Sequence, residues 1–206
     1  MSKKKIEEDK FRVISLKGFK TTLRPVNVEH DLPYVMKWIN DETINKFVQA
    51  ISPLSEYQER QYLEGLGKNP NNIVYAIDTL EGRFIGMMGL HNIDWVSGMA
   101  TTGALIGDKE YWGKGCGYDA QMLLLHHAFH RLNLRRINSE TVEFNKRSTR
   151  CLLKCGYKPE GIRKNYKFWN GKYWDQNLFR LFRGEFEPLW KEYAKNLPQE
   201  EEEVRK

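Results

Sequence analysis

One glycine-rich segment near the middle of the chain limits what this sequence can fold into more than any other feature. Gly113, Gly115 and Gly117 alternate with single other residues, between a predicted strand and a predicted helix. Alternating glycines leave backbone N–H groups uncovered, and the positive end of the helix dipole lies at the same place. Three glycines beside Lys114 exceed what a tight turn needs. The segment therefore predicts a loop that binds a phosphate or pyrophosphate group.

Two nucleotide-binding motifs come close to this segment. A Walker A loop is excluded by the spacing of the glycines and by the lack of a hydroxyl residue after Lys114. A dinucleotide fingerprint fits better, because residues 115–120 read G-x-G-x-x-A and Glu140 follows at a suitable distance. In that fingerprint the glycines follow their strand directly, whereas here residues 108–114 intervene. An NAD-type nucleotide-binding domain stays open as the weaker alternative.

Hydrophobic periodicity and turn residues predict more strands than helices. The predicted strands cover residues 13–24, 73–78, 83–95, 100–107, 136–144, 157–169 and 172–182. The predicted helices cover residues 31–40, 55–66, a segment from the glycine loop to about residue 133, and 146–155. Short turns within residues 73–107 predict an antiparallel meander. The strand–helix–strand order that follows predicts a parallel pair, 100–107 beside 136–144, and hence an α/β (α+β) fold with a mixed sheet.

Composition indicates the size and class of the protein. The 206 residues are 40% hydrophobic and 13% aromatic, which excludes a disordered chain and fits one domain with a substantial core. We expect this domain to cover residues 11–183, after a disordered charged tail at 1–10. A C-terminal helix and an acidic tail are expected at 184–206. The net charge of +6 permits a polyanionic partner such as a phosphate-rich cofactor or a nucleic acid.

Three features predict a cytoplasmic protein with no membrane partner. The longest nearly apolar stretch, residues 84–90, is too short to span a bilayer. The lysines at 3–5 lead into acidic residues and not into the apolar segment of a secretory signal. The three cysteines are an odd number in a chain of ordinary domain size, which argues against a disulfide scaffold.

Residues 86–175 carry several motifs in a characteristic order. The main ones are GLHNIDW at 89–95, YWGKGCGYDA at 111–120, NKRS at 145–148, KCGY at 154–157 and GKYWD at 171–175. In this order and spacing the chain resembles the GNAT N-acetyltransferases, and within them the RimJ/RimL branch of ribosomal-protein N-terminal acetyltransferases. The resemblance implies an acyl-CoA N-acyltransferase fold, a mixed and bent sheet with a splayed parallel pair, flanked by helices. It also implies acetyl-CoA as the donor and a primary amine as the acceptor.

The resemblance assigns the cofactor to two places. The pantetheine arm would pair like a strand with the end of the strand before the glycine loop, and the loop amides would hold the pyrophosphate. The implied cofactor-binding residues are Leu105, Ile106, Trp112, Gly113, Lys114, Gly115, Cys116, Gly117, Tyr118 and Asn145. Trp112 stands where the family usually has Gln or Arg, which matters little because backbone contacts carry the binding.

Ser148 is the catalytic residue that the resemblance implies. Its hydroxyl would protonate the departing CoA thiolate, because Leu152 occupies the position at which many relatives have a Tyr. A backbone N–H at the strand end would stabilise the oxyanion that forms during direct attack by the amine. The residues alone leave a second interpretation open, in which Asn145 is simply a helix N-cap and Ser148 a first-turn residue.

The acceptor amine must lose a proton, because its ordinary pKa of about 10 leaves it charged at neutral pH. Some relatives have a Glu for this task at the position of Thr101, so that base is absent here. Glu140, Glu143, Asp94 and water all stay open as proton acceptors.

The histidines receive no role in this interpretation. His126 and His130 have metal-ligand spacing on a helix, but no carboxylate or further ligand is evident nearby, so no metal is expected. His30 and His91 stand alone in the sequence.

The acceptor is the least determined partner. A protein N-terminus, a polyamine and an amino sugar all stay open, as does a homodimer, and DNA is not expected. A basic and aromatic stretch at residues 163–169 permits another class of function, a non-catalytic module that binds RNA or the ribosome.

Overall fold

The computed structural model of the protein describes residue 13, residues 15–48 and residues 53–198. The charged tail predicted at 1–10 and the acidic chain end at 199–206 lie outside the described residues. The strands are β1 (Leu16–Lys17), β2 (Thr21–Pro25), β3 (Ile73–Thr79), β4 (Phe84–Asp94), β5 (Met99–Ile106), β6 (Arg136–Val142), β7 (Lys158–Trp169) and β8 (Lys172–Phe182). The helices are α1 (Val28–Ile39), α2 (Glu42–Val48), α3 (Glu56–Gly65), α4 (Cys116–His126), α5 (Lys146–Lys154) and α6 (Arg183–Ala194). Within this described part, no helix is long and apolar enough to cross a membrane.

The sheet is mixed, as the sequence predicts. Its strands lie in the order β1-β2-β3-β4-β5-β6-β8-β7. The meander β3-β4-β5 is antiparallel and β5 pairs with β6 in parallel, so both predictions are confirmed. Asn170 and Gly171 join β7 to β8 with positive φ angles, which a type I′ hairpin turn requires.

β5 and β6 separate partway along their length. Their parallel pairing runs only from Met99 opposite Arg136 to Thr102 opposite Ser139. Beyond that point β5 stays paired with β4 as far as Ile106, while β6 stays paired with β8. Because the two strands follow different neighbours, a gap opens between their ends in the middle of the sheet. The predicted splay beside Ile106 is confirmed.

A buried network holds the two strands together where the gap begins. The Tyr157 hydroxyl lies 2.9 Å from Thr102 Oγ1 and accepts a hydrogen bond from Gln121 Nε2 at 3.0 Å. The Ser139 hydroxyl donates to the Thr102 carbonyl at 3.3 Å. Complete burial raises the pKa of the Tyr157 phenol far above its ordinary value, so the hydroxyl stays neutral. The network fixes the last paired residues and therefore the position of the gap.

The strand predicted over residues 13–24 is wrong, because residues 16–25 form the hairpin of β1 and β2. The buried carboxylate of Asp119 on α4 accepts the backbone N–H groups of residues 19–21 at 2.8–3.3 Å and so fixes the turn. A Cβ at Gly18 would lie 2.3 Å from this carboxylate, so the approach requires glycine. Asp119 is about 100 residues away in the sequence, and no local pattern reveals such a contact.

Two helical features differ from the sequence prediction. The short helix α2 was not predicted; the Asp41 carboxylate caps its start by accepting the N–H of Thr43 at 2.9 Å. The helix predicted from the glycine loop to about residue 133 is α-helical only to His126 and continues as a π-helical turn over His127–Arg131.

Helices cover the sheet on two sides and form two buried clusters. The larger contains Met122 and Leu125 of α4 and Phe129 of the π-helical turn together with Phe186 and Tyr193 of α6. The smaller packs Val35 and Trp38 of α1 against Ala76 of β3 and Phe84 of β4. Successive side chains of β4 point to opposite faces of the sheet, so Phe84 packs in the smaller cluster and Ile85 in the larger. The gap between β5 and β6 therefore has a packed layer on each side.

Candidate functional site

The gap between β5 and β6 opens into a cavity of about 730 Å³. This volume lies in the range of small-molecule sites in proteins. The predicted site residues in its lining are Leu105, Ile106, Trp112, Gly113, Gly115, Gly117, Tyr118, Asn145 and Ser148. Lys114 and Cys116 belong to the same loop but do not contribute to the lining. The fold therefore brings most of the predicted site into one place.

The glycine loop presents backbone amides to one end of the cavity. Gly113 and Gly115 have φ angles of 75° and 88°, in the left-handed region that favours glycine. Gly115 is the N-cap residue of α4, and no side chain in the described ranges caps this helix. The N–H groups of the first helical turn, from Cys116 to Tyr118, are consequently not used by the helix, and the helix dipole adds positive potential. This geometry suits an anion such as a diphosphate.

Lys20 joins this loop, although the sequence analysis gave it no role. A Cβ built on Gly115 would lie 3.4 Å from Lys20 Cε and 3.9 Å from Lys20 Nζ. Lys20 lies in the β1–β2 turn that the Asp119 carboxylate fixes, and Asp119 itself lies in the first turns of α4. One buried carboxylate therefore connects the anion-binding end of the helix to a lysine. No sequence signal could have found Lys20, because its placement depends on the hairpin that the pattern did not reveal.

Trp112 connects the glycine loop to the open end of β5. Its indole Nε1 donates a hydrogen bond to the Ile106 carbonyl oxygen at 2.6 Å. The indole also packs, with Leu105, against the cluster that contains Trp38. A Cβ at Gly107 would lie 2.0 Å from Trp38, so this glycine lets the strand end approach α1.

Asn145 and Ser148 meet the cavity at the start of α5. The Asn145 side-chain oxygen accepts the backbone N–H of Ser148 at 3.1 Å, which confirms the predicted N-cap. The Ser148 hydroxyl has no hydrogen-bond partner among the residues that the structure describes. It lines the cavity and is available to a ligand there.

His91 also lines the cavity, and the sequence analysis gave it no role. It lies on β4 opposite Thr101 of β5. A Cβ at Gly103 would lie 3.3 Å from His91 Nε2, so the glycine leaves room for the imidazole beside the gap. Burial lowers the pKa of His91 below its ordinary value, and the ring is neutral at neutral pH. Only the pairing of β4 with β5 brings His91 here, which explains why a lone histidine in the sequence gave no signal.

The acids proposed as proton acceptors lie in different places. Glu140 lines the cavity, and its carboxylate lies 3.1 Å from Arg163 Nη1. Glu143 follows the end of β6 and lies outside the lining. Asp94 lies opposite Met99, at the closed end of the β5–β6 pair, and its carboxylate accepts the backbone N–H groups of the following turn. Asp94 was wrong as a candidate, because the gap begins only beyond Thr102.

Aromatic rings and one arginine form a cluster beside the cavity, and three of its members, Phe47, Trp112 and Arg147, line the cavity. The Arg147 guanidinium carbon lies 3.5 Å from the centre of the Trp112 ring and 5.4 Å from that of Phe47. Phe144 contacts both Phe47 and Trp174, with ring centres 6.0 and 5.1 Å apart. We call Phe47, Trp112, Phe144, Arg147 and Trp174 the mouth cluster. It joins α2, the glycine loop, the β6–α5 connection and β8.

His126 and His130 serve packing. The ring of His126 stacks on that of Trp190 of α6 at 3.9 Å and on that of His130 at 4.6 Å. Burial and the neighbouring His130 lower the pKa of His126 to about 4, so it is neutral at neutral pH. His130 Nε2 lies 3.2 Å from a Glu187 oxygen. These contacts join α4 to α6, and no group of three metal-ligating side chains was found within the described ranges.

Residues 20–158 match the GNAT acetyltransferase domain family. The uncharacterized N-acetyltransferase p20 of Bacillus licheniformis is 27% identical over 174 residues, which cover 80% of this chain and 94% of the relative. The probable N-acetyltransferase YjcK of Bacillus subtilis is 36% identical over 132 residues, which cover 62% of this chain and 68% of the relative.

A solved structure agrees with the fold. Spermidine N-acetyltransferase from Vibrio cholerae, in complex with CoA and spermine, superimposes with a TM-score of 0.73. The match covers 81% of this chain and 97% of that protein at 23% identity, so it concerns the architecture alone.

Proposed function

The chain belongs to the GNAT acetyltransferase family, and from this premise we propose that it transfers the acetyl group of acetyl-CoA to a primary amine. The gap between β5 and β6 is the observation that carries the proposal. One cavity joins the uncapped amides of α4 to the unpartnered hydroxyl of Ser148. Acetyl-CoA suits this cavity, because an extended, amide-rich arm links its diphosphate to its thioester.

Backbone groups and lysines supply the donor site in this proposal. The amides from Cys116 to Tyr118 bind the diphosphate, with Lys20, Lys114 and Lys154 as nearby cations. Lys154 Nζ lies 4.5 Å from the centre of the Tyr118 ring, beside the same helix start. The open end of β5 at Leu105 and Ile106 lies along the pantetheine arm, and Asn145 contacts the arm from α5.

When bound, acetyl-CoA supplies an activated acetyl thioester. Ser148 would donate its hydroxyl proton to the departing thiolate as the amine takes the place of sulfur on the carbonyl carbon, and the serine would regain a proton from solvent. A backbone N–H at the open end of β5 stabilises the negative charge that develops on the carbonyl oxygen. A thiolate is a fair leaving group even without protonation, so the contribution of Ser148 is about 10²-fold, the lower end for such groups.

We propose His91 as the group that takes the proton from the amine. Its imidazole is neutral, lines the cavity beside the point of strand separation, and has no hydrogen bond to another residue of the described ranges. Glu140 lies near the same gap, but its carboxylate is already occupied by an ion pair with Arg163 at 3.1 Å. Glu143 is outside the lining and acts at most through water.

The acceptor and the cellular setting are finer proposals. A protein N-terminus, a polyamine and an amino sugar are the primary amines at issue, and the motif order of the RimJ/RimL branch favours the first. A cytoplasmic location is proposed from the odd number of cysteines, which argues against a disulfide scaffold.

Thermal unfolding in the presence of nucleotides tests the donor. Acetyl-CoA at a hundred times its dissociation constant is expected to add about 2.7 kcal/mol to the free energy of unfolding, and NAD to add nothing. An acceptor screen then tests the transfer: peptides, amines and amino sugars are each added with acetyl-CoA, and the release of free CoA is measured. Stabilisation by NAD alone would favour the dinucleotide alternative. Binding of single-stranded RNA with no release of CoA would favour the non-catalytic one.

A further inference from the structure

Arg147 is a half-buried cation that lacks an anionic partner among the described residues. Its guanidinium lies on the Trp112 ring at 3.5 Å and faces Phe47 at 5.4 Å. Burial lowers the pKa of this guanidinium, because the surroundings disfavour its charge. Ring contacts compensate part of this cost, but a charge-assisted hydrogen bond to an anion would compensate more. The side chain lines the cavity, so an anionic group on a ligand can reach it.

The phosphates of the donor have cations of their own at the other end of the cavity. Lys20 lies beside Gly115, and Lys154 lies over the Tyr118 ring at the start of α4. Arg147 instead contacts Phe47 of α2, on the side of the smaller buried cluster. Arg147 also touches Trp112 of the loop, but the lysines already supply cations for the phosphates, and the contact with Phe47 favours the acceptor over the donor.

Two of the acids near the mouth cluster are already paired with bases of this chain, and a third, Glu143, lies outside the lining. Glu140, the one acid in the lining within the described ranges, lies 3.1 Å from Arg163 Nη1. The Asp175 carboxylate, next to Trp174, accepts a hydrogen bond from Lys164 Nζ at 2.7 Å. Lys167 lines the cavity from β7 and adds a second cation that has no ion pair among the residues described. The mouth is therefore positive, and it repels a polycation.

We propose that the acceptor is a primary amine that carries a carboxylate or phosphate group close to the amine, bound by Arg147 with support from Lys167. The inference rests on the proposed function and defines the class of its acceptor. The ring of Phe47, which lines the cavity and packs on Phe144, adds an apolar surface for the rest of the acceptor. An amino acid, an amino sugar phosphate and a peptide with an acidic residue beside its free N-terminus share this chemistry. Spermidine does not.

Matched acceptors test the inference through the release of CoA. The peptides Ser-Glu-Phe-Ala, Ser-Gln-Phe-Ala and Ser-Arg-Phe-Ala, all amidated at the C-terminus, vary the charge beside the amine and contain no second primary amine. Two further pairs compare an anionic small molecule with a neutral match: glucosamine 6-phosphate with glucosamine, and free glutamate with glutamine amide. We expect kcat/KM for the anionic member of at least one set to exceed that for its neutral match by about tenfold or more. Spermidine is expected to be poorer than either.

Arg147 variants show whether this preference belongs to the proposed contact. Arg147→Gln should remove most of the preference by raising KM for the anionic acceptor, with the dissociation constant of acetyl-CoA unchanged. Arg147→Lys should retain part of it, and Arg147→Glu should reverse it toward the arginine peptide. Lys146→Gln is the matched control, because it removes the same charge from the preceding residue, which is exposed and outside the lining. Melting temperatures of all variants identify any that fail to fold.

Three results would overturn the inference while the proposed function stands. They are faster transfer to spermidine than to any anionic acceptor, a preference that survives Arg147→Gln, and weaker acetyl-CoA binding as the main effect of that variant. If no acceptor gives release of CoA although acetyl-CoA still binds, the proposed function is overturned and this inference with it.

Discussion

The two ends of the cavity are built by different means. The donor end consists mainly of backbone groups from one continuous segment, the glycine loop and the first turn of α4. The acceptor end consists of side chains from α2, β4, α5, β7 and β8. A backbone site tolerates many sequences as long as its glycines remain, whereas a side-chain site changes with each substitution. We infer that the donor end fixes the kind of reaction and the acceptor end fixes its specificity.

The largest effect is expected from a side chain placed into the donor end. Gly117→Val should abolish stabilisation by acetyl-CoA, with a loss of affinity on the order of a hundredfold or more, because it blocks the approach to several charge-assisted hydrogen bonds. A Cβ at Gly117 meets no atom closer than Ile106 Cγ1 at 3.7 Å, so the protein itself has room for it. Thermal shift with acetyl-CoA measures the effect.

Gly184→Val is the control for this substitution, since Gly184 lies on α6 away from the cavity and has open space around it. Gly115 is a poorer choice, because its φ of 88° would strain any side chain whether or not a ligand binds there. Unchanged acetyl-CoA affinity in a folded Gly117→Val protein would remove the loop from the donor site.

The contrast between the ends explains what the sequence could predict. The meander, the parallel pair and the Asn145 cap follow from local periodicity and turn residues, and the glycines of the donor loop are adjacent in the chain. His91 and Lys20 could not be found in this way, because one depends on strand pairing and the other on a contact with Asp119 far along the sequence. The predicted first strand was wrong for the same physical reason: a buried carboxylate from another element decides where the chain turns.

The next largest effect concerns the proton acceptor. His91→Gln should lower kcat/KM by about a hundredfold or more, because a general base contributes at least that much. Burial lowers the pKa of His91, so in the wild type the imidazole stays neutral and active until the pH falls below its ordinary value of 6.5. The pH–rate profile should therefore show an acidic limb below that value, and the variant should lose the limb and follow only the ionisation of the amine.

The lowered pKa of His91 also makes the stability of the protein depend on pH. A histidine whose pKa is lowered by folding favours the native state above its unfolded pKa, and this contribution is lost as the pH falls through the lower folded value. For the pH–rate profile, His30→Gln serves as the control, since its side chain is half exposed and outside the lining. An acidic limb that persists in His91→Gln would assign the proton transfer to another group.

Ser148 is expected to have a smaller effect, confined to turnover. Ser148→Ala should lower kcat by about 10²-fold with little change in acetyl-CoA affinity, because only the departing thiolate needs its proton. Asn145→Ala is the contrast, since it removes the cap on the Ser148 N–H and should reduce stability by about 1 kcal/mol together with cofactor affinity. Single-turnover kinetics isolate the chemical step, and full speed there in Ser148→Ala would exclude the serine as the acid.

The smallest effect is expected at Lys20, where a side chain supplements the backbone of the donor end. Lys20→Ala should weaken acetyl-CoA binding by about tenfold, with kcat unchanged, because one exposed cation contributes less than the loop amides do together. Lys17→Ala removes the same charge from β1 of the same hairpin and should change nothing.

Salt and a truncated cofactor identify what Lys20 binds. The difference in affinity between wild type and Lys20→Ala should shrink as ionic strength rises, since exposed charges are screened. If Lys20 faces the diphosphate beside Gly115, as its position indicates, the difference should be the same with dephospho-acetyl-CoA, which lacks the 3′-phosphate. A difference that disappears with the truncated cofactor would place Lys20 at the 3′-phosphate. Equal affinity of wild type and variant at low salt would show that the backbone alone holds the donor, and the contrast between the two ends would then be sharper than the structure suggests.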